Sequence, residues 1–184
     1  MDIVNIFAFV AAVIAVGISL LAMIISRRIL KFQVLYELQK DYRSGQMMSA
    51  IATLREFDRY CDSNKLNLKD EFLKRFQSEG EQVAKGKKIE TTLNYKRRLV
   101  TNFYIYLASL YANKILPPEL IFDLWLPSDF EMFDKFLIPL HQTLDEFLKV
   151  PQEETNFTIR HLNTLKEDGL AYFNNFQIDN EIID

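Results

Sequence analysis

The chain is poor in the residues from which small chemical sites are built: 184 residues include one cysteine, two histidines, one tryptophan, five glycines and five prolines. A lone Cys61 excludes an internal disulfide and any cysteine pair at zinc or redox spacing, which fits a reducing compartment. It has no evident basic neighbour to activate the thiol and reads as a small core residue. With so few turn formers there is little material for many short strands, so the expected fold class is all-α, built from long helices. Catalytic signatures are missing too: there is no P-loop, no Gly-rich dinucleotide turn, no G-x-S-x-G elbow and no kinase signature. His141 and Asp145 sit one helical turn apart with Glu146 adjacent, but Ile138 and Thr158 stand three positions before the two histidines, where di-iron bundles carry glutamate. Arg160-His161 likewise lacks the spaced arginine and histidine of one group of all-helical ribonucleases. No catalytic residue, metal ligand or cofactor is assigned.

What the chain does have is an uninterrupted apolar run. Residues 3–25 carry no charge, and only Asn5 and Ser19 are strongly polar. As a helix rising about 1.5 Å per residue the run spans roughly 34 Å, enough to cross a hydrocarbon core of about 30 Å. A soluble core helix of that length would show a polar face, and this one shows none. A cleaved signal peptide would want a basic leading region, a shorter apolar stretch and a small-residue cleavage site, whereas only Met1 and Asp2 precede the run. Residues 1–26 are therefore expected to be a transmembrane anchor. Arg27, Arg28 and Lys31 follow it directly, and the positive-inside rule then places the N-terminus outside and the larger C-terminal part in the cytoplasm, as a single-pass protein of the cell membrane. On that side the sequon-like Asn156-Phe157-Thr158 is not glycosylated. Within the run, Ala8, Ala11, Ala15, Ser19 and Ala22 recur at steps of three and four, lining small side chains along one face. Such a face permits close helix association, although alanine is also simply common in these segments.

No glycine or proline lies between Gly17 and Gly45, so the first helix is expected to continue through a juxtamembrane segment, residues 27–44, with Val34, Leu35, Leu38 and Tyr42 as an apolar stripe that needs cover. A second helix carries Met47, Met48, Ile51, Leu54, Phe57 and Cys61, and residues 61–64 read as a turn. A third opens with Asn67 as N-cap, carries Leu68, Phe72 and Phe76, and weakens near Gly80, so that residues 79–88 read as a solvated connection. The strongest periodicity, over residues 89–114, predicts a central helix through Leu93, Val100, Phe103, Tyr104, Leu107, Leu110 and Tyr111. Pro118 opens a short helix with Leu120, Ile121, Leu124 and Trp125 facing inward. Ser128 and Glu131 have capping-box spacing ahead of a phenylalanine-rich helix that Pro139 should kink. A last amphipathic helix is expected over residues 156–168. The reading is thus a bundle of about five to six helices over residues 45–168, followed by an acidic tail, residues 169–184.

Residues 26–114 hold 18 lysines and arginines against 10 acids, and residues 128–184 hold 4 against 12, within a net charge of −3. Such asymmetry fits a basic side near an anionic membrane face, or two halves that neutralise each other across the bundle. The densest cluster is Lys85, Lys87, Lys88, Lys96, Arg97 and Arg98, which reads either as an ordinary solvated surface or as a contact for anionic lipid or phosphate. Nucleic-acid binding wants a more basic domain than this one. The helix MMSAIATLREFDRY and the segment LNYKRRLVTNFYIYLASLYANKILPPELIFDLW, behind an N-terminal span with basic residues, resemble uncharacterised bacterial single-span membrane proteins with a helical cytoplasmic domain of unknown function. The shared features are the Leu93-Asn94 helix start and Trp125, and the resemblance implies an architecture without an activity. The leading functional expectation is a membrane-tethered helical interaction or scaffold module, not an enzyme, whose partners are the lipid bilayer, a second copy or an unidentified cytoplasmic protein. A ligand-sensing or effector component of a bacterial stress or phage-defence system, and a helical hydrolase or nuclease, remain open beside it.

Overall fold

The computed structural model describes residues 3–122, 125 and 127–181, with side chains at 9, 11–122, 125 and 129–174, and every described element is helical. The chain divides into two compact units, Met1–Leu38 and Gln39–Asp184. The first helix, α1 (Ile3–Tyr42), is 40 residues long and supplies the whole of the first unit's regular structure. Its segment Ala11–Tyr42 contains a stretch of mean hydropathy 2.0, none of it buried, and is long and apolar enough to cross a membrane. Ser19 does not break the helix, because its hydroxyl donates back to the Ala15 carbonyl at 2.8 Å and leaves no unpaired polar group on the apolar surface. Of the small-residue face, Ala11, Ala15, Ser19 and Ala22 are exposed, and the side chain of Ala8 lies outside the described residues.

In the second unit α2 (Gly45–Ser63) begins at Ser44, whose Oγ accepts the Met47 N–H at 3.2 Å. The turn expected at residues 61–64 falls later: the helix runs through Ser63, Lys65 takes a left-handed φ of 53°, and the Leu66 N–H returns to the Cys61 carbonyl at 2.9 Å. α3 (Leu68–Ala84) opens as its sequence signals, with the Asn67 side chain accepting the Lys69 and Asp70 N–H groups at 2.9 and 3.2 Å. It does not weaken at Gly80. An interior glycine costs a helix only about 1 kcal/mol, and the glycine in left-handed backbone beyond its end is Gly86, at φ 100°. The expected 89–114 helix is in fact a short 3₁₀ turn, Ile89–Thr91, followed by α4 (Leu93–Ala112), because the Thr92 hydroxyl accepts the Tyr95 N–H at 3.2 Å and fixes the helix start there.

α5 (Pro118–Phe122) and α6 (Pro127–Met132) are short, and α6 leads through a π-helical turn, Phe133–Leu137, into α7 (Ile138–Leu148). The disturbance expected at Pro139 takes this form. Proline offers no N–H to the carbonyl one turn back, and the chain widens instead, with the Ile138 N–H bonding to the Phe133 carbonyl five residues earlier. Leu124 and the side chain of Ser128 lie outside the described residues. α8 (Gln152–Glu181) replaces both the shorter 156–168 helix and most of the expected tail. Gly169 does not end it, because this glycine is a point of close packing: a Cβ there would come within 3.0 Å of Phe122 Cε1 and 3.2 Å of Phe130 Cζ. Beyond it, Tyr172 packs on Phe122 at 5.4 Å and Phe173 on Phe130 at 6.1 Å between ring centroids.

The core of the second unit is aromatic. Tyr104 meets Phe133 edge to face at 4.7 Å, Phe103 lies 6.2 Å from Trp125, and Tyr42 contacts both Phe103 and Trp125 at 5.5 and 5.9 Å. The Tyr42 hydroxyl donates to Asp129 at 2.9 Å, and Arg55 of α2 stands 3.7 Å from the same carboxylate oxygen.

Candidate functional site

The most organised polar group in the second unit centres on Arg97, which is only 3 % exposed. The capped start of α4 places Asn94 one turn before Arg97, and the Asn94 side-chain oxygen accepts from Arg97 Nε and Nη2 at 3.2 and 3.1 Å. Arg97 Nη1 reaches His141 Nδ1 on α7 at 3.3 Å, His141 Nε2 stands 3.4 Å from Asp145 Oδ2, and Thr155 of α8 donates to that oxygen at 2.7 Å. One chain of polar groups thus ties α4, α7 and α8 together. Since a guanidinium only donates, His141 Nδ1 accepts and the ring proton sits on Nε2, toward Asp145. Burial pulls the Arg97 pKa down to about 10, with Arg98 adding to the effect and Asp145 opposing it. Burial also pulls His141 below the ordinary histidine range, Asp145 opposing and Arg97 reinforcing. The group is a buried polar chain with one open link, since His141 Nε2 approaches Asp145 without a hydrogen bond, and no cluster of three metal-ligating side chains occurs among the described residues.

Acid should therefore weaken the second unit through His141. Its folded pKa lies below its unfolded value, so the contribution is fully present above about pH 6.5. As pH falls below that value the unfolded chain binds the proton first, and stability drops by at most about 1.4 kcal/mol per pH unit until the lower folded pKa is passed. Urea unfolding of the full chain in detergent, followed by the fluorescence of the buried Trp125, checks this at pH 7.5 and 5.5. The fall should be smaller in His141→Gln; an equal fall in both proteins would exclude His141 as its source.

The structure separates the basic cluster that the sequence groups together. Lys85, Lys87, Lys88 and Arg98 are exposed, with Lys87 Nζ donating to Gln82 at 2.8 Å. Arg97 turns inward, and Lys96 donates to Thr53 of α2 at 2.7 Å. Contact with lipid or phosphate through Arg97 is therefore corrected: successive residues of a helix point about 100° apart, so three adjacent cations cannot share one face. Arg27 and Arg28 are exposed on α1, and Lys31 is half-buried.

Glu79 is a buried polar side chain that sequence reasoning missed. Placed in the expected solvated connection, it is instead 8 % exposed, and its Oε2 accepts the N–H of Leu93 at 2.8 Å while Arg75 Nε lies 3.7 Å from Oε1. Leu93 is the first residue of α4, where N–H groups have no partner within the helix and a carboxylate is favoured by the helix dipole. A sequence signal existed in Arg75 and Glu79, four apart on one helix, but the distant N–H that Glu79 serves has none. Cys61 is buried, and burial pushes its thiol pKa up, as for an unactivated core cysteine.

Leu93 and Trp125 are buried, and Asn94 holds Arg97. No protein-family model, curated protein or solved structure matches the chain.

Proposed function

We propose that this chain is a single-span, membrane-tethered helical interaction module, with α1 crossing the bilayer and the helices from Gln39 onward offering a cytoplasmic surface to a protein partner. The observation that supports this is the uncovered apolar surface of α1. Ile14, Val16, Ile18, Leu20 and Leu21 are each more than half exposed, with no charge between residues 11 and 26. Each such side chain gains about 1.5–3 kcal/mol on leaving water for an apolar medium, and a bilayer takes up all faces of the helix at once. Arg27 and Arg28 at its end supply the orientation, by the positive-inside rule. The helical unit beyond it is closed by its own aromatic core and buried polar chain, an arrangement suited to a rigid surface held near the membrane.

The full chain should remain in the membrane pellet after alkaline carbonate extraction, and protease added to inverted vesicles should digest residues beyond Gln39 while sparing the span. Ile14→Arg with Ile18→Arg, each costing insertion about 2.5–3.5 kcal/mol, should release the chain to the soluble fraction. Release of the unaltered chain by carbonate would remove the anchor reading.

A further inference from the structure

One cation of α8 is answered by no acid among the described residues. Residues 128–184 hold 12 acids against 4 lysines and arginines, and of these four Lys135 pairs with Glu131 and Lys166 with Asp134. Arg160 has no such pair, and the positions one helical turn from it, Asn156, Phe157, Asn163 and Thr164, are all uncharged. Its guanidinium lies instead 5.9 Å over the ring of Phe157, and the same ring lies against His161 at 4.1 Å between centroids. That gives Phe157, which is 53 % exposed, a use as the plate that orients both side chains. His161 Nδ1 stands 2.8 Å from the Phe157 carbonyl. A carbonyl only accepts, so Nδ1 carries the ring proton, and Nε2, with no partner among the described residues, keeps its lone pair.

Both side chains border a groove between α4 and α8, lined by Ala108, Tyr111 and Ala112 on one side and Arg160, His161 and Thr164 on the other. The two alanines leave a space of about 130 Å³, close to the roughly 150 Å³ that accepts a benzene ring in an apolar cavity. Tyr111 turns its hydroxyl to Asp168 at 2.8 Å, about 12 Å along the helix from Arg160, so the carboxylate at that end is already engaged. An unpaired guanidinium beside an imidazole whose Nδ1–H is committed to the backbone, with small apolar residues opposite, matches a carboxylate on a compact apolar body. Carboxylate oxygens take parallel N–H groups from an arginine, and a proton gained at Nε2 supplies a further charged donor. That proton comes from solvent when the ligand arrives as the anion, and from the ligand when it arrives as the acid. We infer that this groove binds a small carboxylic acid, held between Arg160 and protonated His161 with its apolar body against Ala108 and Ala112. The site lies wholly within the second unit and does not depend on whether α1 spans a membrane.

Titration of the full chain in detergent with benzoate, followed by the side-chain ¹⁵N signals of its two histidines, tests this. At about pH 7.5 the His161 Nε2 signal should move saturably from the unprotonated toward the protonated position, while His141, held in its own network, stays fixed. Arg160→Gln should weaken binding by about tenfold or more, the loss of a charge-assisted pair. Ala112→Leu fills the groove and keeps both polar groups, and should weaken binding severalfold. Lys88→Gln removes an exposed cation from the connection before α4 and should leave the affinity unchanged. An unmoved His141 signal in each variant reports an intact fold. No saturable movement of His161, full affinity in Arg160→Gln or Ala112→Leu, an equal loss in Lys88→Gln, or inorganic phosphate binding as tightly as benzoate would each overturn the carboxylate site.

Discussion

Replacing Phe133 by Ala should lower the stability of the helical unit by about 3–5 kcal/mol, the range for removing a fully buried phenylalanine from a core that relaxes only in part. The ring is 0 % exposed, 4.7 Å from Tyr104 and 5.6 Å from Phe130. It also opens the π-helical turn, whose wider backbone is set by Pro139 and not by the side chain, so the backbone gives little room for collapse into the space left behind. Against a total of about 5–15 kcal/mol for an ordinary domain, the loss is large enough to read in any denaturant titration. Trp125 is the only tryptophan and is buried, so its emission reports unfolding of this unit even while α1 stays helical in detergent. Phe147→Ala is the matched control: Phe147 is 43 % exposed, with Phe76 at 6.0 Å as its ring neighbour, and should cost clearly less. Equal losses in the two variants would mean that Phe133 is not the packed centre described here.

How much of this was legible in the sequence depends on whether a feature is local. Asn67 caps α3 through a bond to residues two and three positions away, and Pro118 starts α5 with a fixed backbone angle, so both could be read directly. The helices themselves were legible because apolar side chains recur at 3.6-residue spacing, and the all-helical class followed. Glu79, Arg97 and Gly169 were not legible, for one shared reason. Glu79 serves a group 14 positions away, Arg97 one 44 away and Gly169 two that are 39 and 47 away, and local rules then favour the wrong answer: a polar connection, a surface cation, the first residue of a tail. Charge followed the same logic. Arg55 of the basic half approaches Asp129 of the acidic half, and Arg97 faces His141 beside Asp145, contacts between distant segments that only the fold could place.

Arg97 yields the second large effect. Arg97→Ala should destabilise the unit by about 3–5 kcal/mol, the cost of breaking a buried charged network by removing one partner. The loss comes chiefly from what is left behind: the Asn94 oxygen loses both its donors, His141 Nδ1 loses the N–H it accepts, and Asp145 loses its nearby positive charge. The guanidinium itself is held at a disadvantage, since burial lowers its pKa to about 10 while leaving it protonated at neutral pH. Arg97→Met should therefore cost less than Arg97→Ala, because it keeps the packed stem without the desolvated charge. Arg97→Lys should fall near the alanine variant, since one ammonium cannot reproduce a fork that serves Asn94 and His141 together. Each is measured by urea titration of the full chain at pH 7.5, and a cost below about 1 kcal/mol for the alanine variant would place the network outside the determinants of stability. Arg97 also helps to hold His141 neutral, so its removal should let the folded imidazole titrate nearer its ordinary range and reduce the loss of stability between pH 7.5 and 5.5. A protein merely weakened by a cavity would keep that pH dependence intact, and the comparison separates lost packing from a broken electrostatic chain.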